Sequence, residues 1–277
     1  ESKKVEKKYS NRVYKALGHS YDWSLLYTTI SQEAQEISQR SFIELYKKGI
    51  AYRAEEPVLW CTKHQTALAQ AEIEDKERTT KLNYVKFDLE NKEQITIATT
   101  RPELLGACVG IFVNPNDKRY KNLIGKSAKV PLFNHQVKVI KDEKVDVNFG
   151  TGVVMVCTFG DKTDIEWWKK HKLELRNCLN RDGKLSQENR KYSNLTLQEA
   201  RSLILEDLKK ENRLEKQEDL KQTVGTCWRC GTPIEFLITM QWFVKTLEYK
   251  NELLKQGRKI KWWPSFYRVR YEDWVNN

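Results

Sequence analysis

Two short knuckles constrain the fold of this 277-residue chain more than any other feature. Cys61-Thr-Lys-His64 and Cys227-Trp-Arg-Cys230 each hold two soft or borderline ligands across a two-residue gap, the spacing with which one turn offers both ligands to one ion. Together they make a closed tetrahedral set, the chemistry of structural zinc. The alternative is four unrelated side chains, although paired knuckles of this spacing are seldom accidental. Residues 65–226 lie between the pairs, so a shared ion would clamp the neck of an insertion. A domain inserted into another, entering and leaving at the metal, is the expected organisation.

The charge narrows the class of partner. Lys and Arg number 49 against 38 Asp and Glu, giving a formal charge of +11. Such a balance suits a polyanion, nucleic acid before membrane, or equally a generic lysine-rich surface until the charge is located. No run of 18 apolar residues occurs, so no transmembrane helix is expected. Glu1 to Lys8 is charged and has no apolar core, so no signal peptide is expected. Six cysteines without an export signal fit a reducing compartment and a cytoplasmic chain. Cys108 and Cys157 sit in apolar runs and are expected to be buried thiols.

Periodicity supplies the elements. Residues 1–21 are polar and basic, a helix or loose lead-in. Ala34, Ile37, Phe42 and Leu45 predict a helix over 31–48 that Gly49 stops. Short strands are expected at 50–53 and 57–61, then a hairpin of 84–89 with 94–99 across Glu90-Asn-Lys92. Further strands at 107–113, near Val130, at 136–140 and after Gly150 suggest a barrel with helices attached. Thr196-Leu-Gln-Glu199 is a capping box opening a helix that buries Leu197, Ala200, Ile204 and Leu208. Polar residues 209–222 lead back to the second knuckle, a helix is expected over 241–256, and a basic, aromatic tail follows.

The stretch from Gly150 to Trp168 joins structure to chemistry. Gly150-Thr-Gly152 opens it, Val153 to Val156 read as a strand buried on both faces, and Gly160 ends the run. Thr163-Asp-Ile-Glu166 has the spacing of a capping box. Asp161 and Asp164 therefore fall at a strand-to-helix junction, where free amides favour negative charge. They are either caps alone, or carboxylates placed to grip an ammonium group or orient a water.

Thr99-Thr-Arg-Pro-Glu103, read with Gly150-Thr-Gly152, Asp161 and Asp164, resembles the editing domain of the class I aminoacyl-tRNA synthetases for valine, isoleucine and leucine. Pro57-Val-Leu-Trp-Cys61, Gln65 to Glu72, Arg101 to Val109, Thr158-Phe-Gly-Asp161 and Met240-Gln-Trp-Phe-Val244 are similar to the valyl members, in their archaeal and eukaryotic form. The resemblance covers essentially the whole chain. Ala16-Leu-Gly-His19 is not the HIGH motif of ATP binding, and no lysine-rich KMSKS loop occurs. What is implied is the connective insertion without an ATP site, and hydrolysis of threonyl-tRNA(Val) rather than synthesis.

The resemblance implies a fold and a set of roles. The fold is α+β, a barrel-like editing domain with peripheral helices, inserted through a zinc-knuckle neck between helical segments. Its divisions are 1–56 helical, 57–79 first knuckle, 80–222 editing, 223–240 second knuckle and 241–277 helical and basic. Asp164 would hold the substrate ammonium, and Asp161 would read the threonine hydroxyl or position water. Thr99, Thr100 and Arg101 would line the opposite wall, with Gly150, Thr151, Gly152 and Phe159 close to the ligand. Lys255, Arg258, Lys259 and Lys261 would grip tRNA phosphates, while Cys61, His64, Cys227 and Cys230 hold a structural zinc. The implied partners are the 3′ end of tRNA(Val) carrying threonine and the catalytic domain of the same synthetase, with no membrane. Two other readings stand: an isoleucine-specific editing domain, against which Arg101-Pro-Glu and Phe159-Gly-Asp161 argue, and a non-catalytic zinc-containing tRNA-binding module.

Overall fold

A computed structural model describes residues 9–25, 27–90 and 93–276; the charged lead at 1–8 and the tip of the expected hairpin at 91–92 lie outside the described residues. Residues 1–54 with 242–277 form one compact unit, and 55–241 form another. In chain order the elements are α1 (Gln32–Lys47), β1 (Ala51–Cys61), β2 (Thr66–Ala67), β3 (Ile73–Leu89), β4 (Gln94–Thr99), β5 (Cys108–Val113), β6 (Ser127–Lys129), β7 (Gln136–Lys141), β8 (Val153–Cys157), α2 (Lys162–His171), α3 (Leu197–Lys210), β9 (Leu214–Cys227), β10 (Glu235–Val244), α4 (Lys250–Gly257) and α5 (Tyr267–Asn276).

The larger unit is built on a curled sheet with strand order β4-β3-β6-β7-β5-β8 and β9 added on β3. Its end strands β4 and β8 approach each other, so the sheet wraps a core. Val85, Phe87, Ile97, Leu105, Ile111, Val139 and Val153 fill it, and α3 adds Ala200, Ile204 and Leu208. The capping box begins that helix as the sequence predicts: Thr196 accepts from Glu199 N, and the Glu199 carboxylate accepts from Thr196 N.

β8 is apolar without alternation because both of its faces are covered. Val153, Met155 and Cys157 enter the main core, whereas Val154 and Val156 join a second cluster with Val109, Phe112 and Trp167. That second cluster is where α2 packs, its Trp167 ring stacked on Phe112 at 5.0 Å. The buried strand read from Val153–Val156 therefore forms, and it is a parallel-sheet-like run in an antiparallel pair with β5.

Several expectations are corrected. Residues 214–222 are not a polar lead but most of β9, which pairs with β3 from Ile73↔Cys227 through Lys81↔Asp219 and beyond. Over 73–81 the ribbon's β3 half is mostly exposed, so its apolar signal is weak, and the backbone ladder and cross-strand pairs such as Lys81–Asp219 at 2.7 Å hold it. The two short strands at 50–53 and 57–61 are one strand, β1. Residues 241–244 belong to β10 rather than to a helix, and the tail at 267–276 is helical.

In the smaller unit Ser31 caps α1 by accepting from Ala34 N. Gly49, at φ +68°, turns the chain away from it. α4 and α5 pack closely at Gly257, where a Cβ would stand 2.1 Å from the Tyr271 ring. The Tyr271 hydroxyl donates to Leu253 O at 2.9 Å.

Candidate functional site

β8 ends at Cys157, and residues 158–161 carry the chain to α2. The helix begins two residues earlier than its sequence suggests. Asp161 is extended and accepts from Asp164 N at 2.9 Å, so it is the cap and Lys162 is the first helical residue. Thr163 and Glu166 therefore form no capping box; Glu166 instead meets Lys144 Nζ at 2.7 Å. Asp is the stronger N-cap of the two residue types, and here it takes the orphan amide.

Asp164 lies inside the first turn and is 6% exposed. Its Oδ2 accepts from Gly160 N at 2.9 Å and Cys157 N at 3.3 Å. Burial drives its carboxyl well above the usual carboxylate range, and the nearby charge of Asp161 adds to that; the two amides and Arg101 oppose the shift without cancelling it. A buried acid held this way strongly favours any cation that reaches it. Gly160 allows the approach, since a Cβ there would lie 2.7 Å from Asp164 Oδ2.

The threonine-rich peptide reaches this junction from β4. Arg101 Nη1 donates to Gly160 O at 3.3 Å, and Cys157 Sγ lies 3.4 Å from Leu104 O. Gly150, at φ +57°, presses on the same strand: a Cβ there would be 2.5 Å from Ala98 Cβ. Thr99 Oγ1 accepts from Arg101 N at 3.0 Å, and Thr100 is half-buried beside it. Gly152 abuts Arg119 and Asp117 instead, while the Tyr120 hydroxyl donates to Thr151 O at 2.9 Å. Phe159 is buried and packs edge-on against Trp168 at 5.2 Å.

Arg101 is committed internally. Besides Gly160 it reaches Glu103 at 3.1 Å and Glu235 at 2.8 Å. Arg201 of α3 makes two further bonds to Glu103, at 2.9 and 2.7 Å. Burial pushes the Glu103 carboxyl up, but Arg201 and Arg101 outweigh it and hold it below its ordinary value. For Glu235 burial prevails over Arg101, and the carboxyl is raised. Burial also pushes the Cys108 and Cys178 thiols up to about 12, so these are packing groups rather than nucleophiles.

The structure brings together residues that sequence reasoning missed. Arg201 and Glu235 carry no local signal, because their partners are 98 and 134 residues away. Phe149, directly before the glycine turn, is 46% exposed and presents an open flat face. Lys255, Arg258, Lys259 and Lys261 belong to the other compact unit, exposed at the end of α4 and in the turn after it, where Arg258 pairs with Glu272 at 3.3 Å.

The knuckles converge. Cys61 Sγ, His64 Nδ1, Cys227 Sγ and Cys230 Sγ lie within 4.8 Å of one another. Cys61 is 3.5 Å from His64 Nδ1 and 3.7 Å from Cys230, and Cys227 is 3.9 Å from His64 Nδ1. Zinc bonds of about 2.3 Å to sulfur and 2.0 Å to nitrogen make tetrahedral edges of roughly 3.5–3.8 Å, the range of the two shorter spacings here. Four ligands from two turns, with no fifth position required, can hold a metal ion in a closed site.

The chain matches the family described as tRNA synthetases class I (I, L, M and V) over residues 1–277 and belongs to it. Among its relatives, a valine–tRNA ligase of Archaeoglobus fulgidus is 51% identical over 94% of this chain and 30% of the relative. That of Methanocaldococcus jannaschii is 50% identical over 96% and 30%, and that of Rickettsia typhi 47% over 98% and 33%. The chain thus spans about a third of the length of the relatives it matches. No helix among the described residues is long and apolar enough to cross a membrane.

Proposed function

We propose that residues 80–222, within the compact unit 55–241, carry out editing for a valine–tRNA ligase, hydrolysing the ester of threonyl-tRNA(Val). Asp164 carries this reading: a carboxylate 6% exposed, held by two backbone amides at a helix start, is suited to a substrate ammonium group. Threonine is nearly an isostere of valine, and valine enzymes are the standing illustration of an apolar pocket that rejects such a hydroxyl poorly. A second site can do better by bonding that hydroxyl. Valine would leave those polar groups buried and unpaired, at about 1–3 kcal/mol each.

In this reading Asp164 holds the α-ammonium, and Asp161 reads the threonine hydroxyl or positions water with the oxygen its cap bond leaves over. Thr99, Thr100, Thr151 and the glycine backbone line the wall near the ester, and Phe149 offers its open face to the terminal base. Water adds to the ester carbonyl, the bond to the ribose oxygen breaks, and that oxygen takes a proton as threonine leaves. Binding geometry, not a side-chain nucleophile, supplies the rate. The knuckle cluster holds a structural zinc at the neck formed by 57–79 and 223–240, and Lys255, Arg258, Lys259 and Lys261 contact tRNA phosphates. When bound, the metal supplies folding energy at the neck and no step of the hydrolysis.

Deacylation of threonyl-tRNA(Val), valyl-tRNA(Val) and valyl-tRNA(Ile) by the chain tests the reading. Selective loss of the threonyl ester is expected. Preference for valyl-tRNA(Ile) would instead favour an isoleucine-type editor, and inertness toward all three a tRNA-binding module.

A further inference from the structure

We propose that Arg201 and Glu235 are positioning residues for the Asp164 pocket, acting through Glu103 and Arg101 on the backbone of Gly160. The proposal rests on the editing reading for its functional consequence, though not for its structural one.

The need arises at Gly160. Asp164 Oδ2 would lie 2.7 Å from a Cβ there, so the position accepts only glycine without a shift. Glycine is the residue least able to hold its own conformation. Its backbone is therefore fixed from outside, on both sides. On the amide side the Gly160 N–H donates to Asp164 at 2.9 Å. On the carbonyl side Gly160 O accepts from Arg101 at 3.3 Å.

Arg101 can do this only while its own position is fixed. Its other two bonds run to Glu103 and Glu235, and Glu103 is fully buried. Glu103 takes a two-pronged bond from Arg201, whose planar fork fixes the carboxylate in orientation as well as place. Two guanidinium groups and two carboxylates balance in charge only as a set. Removal of either outer member leaves an inner charge buried with its pairing incomplete. The chain of contacts Arg201–Glu103–Arg101–Gly160–Asp164 thus ties helix α3 to the acid, and Glu235 ties in strand β10.

Hydrogen exchange of the full chain, followed by mass spectrometry, tests this without any ester. In Arg201→Gln and Glu235→Gln, exchange over 157–164 is expected to quicken about tenfold while β7, in the same unit, stays unchanged. Arg201→Lys, which keeps the charge, is expected to recover part of the protection. Threonyl-ester hydrolysis should fall in kcat with KM nearly constant. Unchanged exchange over 157–164, or equal quickening in β7, would overturn the proposal. An Asp164→Ala chain that hydrolyses threonyl ester like wild type would defeat the editing reading instead, and the exchange result would stand apart from it.

Discussion

Asp164 shows how far a single residue can be read from sequence. Its place at a strand-to-helix junction was legible, because the apolar run, Gly160 and the acids are contiguous. Its burial was not, since that depends on Leu104 and Arg101 arriving from the turn that follows β4. The raised carboxyl has a thermodynamic consequence. The folded chain keeps a proton that the unfolded chain has released, so stability falls as pH climbs above the ordinary carboxylate value. Asp164→Asn removes that loss. Its stability in urea is expected to gain on wild type as pH climbs above about 4. A difference that is flat with pH would contradict the raised carboxyl. Gly150 makes a second test at this scale. Alanine there meets both the positive φ and the Ala98 methyl, and should cost roughly 2–4 kcal/mol in chemical denaturation.

Among the elements, helices were read best where the signals were local. Thr196 and Glu199 lie within one turn of each other, and the capping box they predict is present. Thr163 and Glu166 have the same spacing, but Asp161 takes the amide first, so the cap moves upstream. The contrast is measurable. Thr196→Ala should cost about 1 kcal/mol of stability, and Thr163→Ala within about 0.5 kcal/mol of nothing. Equal losses would return the cap to Thr163. β9 escaped the sequence because its partner strand is far away and half of its side chains are exposed. Over 241–244 the end of β10 replaces the expected helix, because a strand's ladder leaves no mark on composition.

For the molecule as a whole, the two knuckles gave the most. Their spacing alone foretold that residues 61 and 230 would meet, and their sulfurs are 3.7 Å apart. Residues 55–241 form one compact unit and the two flanking segments the other. The charge network around Glu103 was invisible, since ion pairs between distant residues obey no local pattern. Cys227→Ser should lower bound zinc, measured by atomic absorption on the purified chain, by at least half, and should raise proteolysis near residues 57–79 and 223–240. Full metal content in that variant would remove Cys227 from the ligand set.

The editing reading comes down to the Asp164 carboxyl, which ionises against a bound ammonium group. Asn at that position keeps the shape but cannot hold an ammonium group, and losing one partner of a buried charge pair costs roughly 2–5 kcal/mol. The decisive measurement is kcat/KM for threonyl-tRNA(Val) hydrolysis by wild type and Asp164→Asn, with folding checked in both. A drop of at least about thirtyfold is predicted. Hydrolysis within about twofold of wild type would contradict the role given to Asp164 and, with it, the assignment of this site.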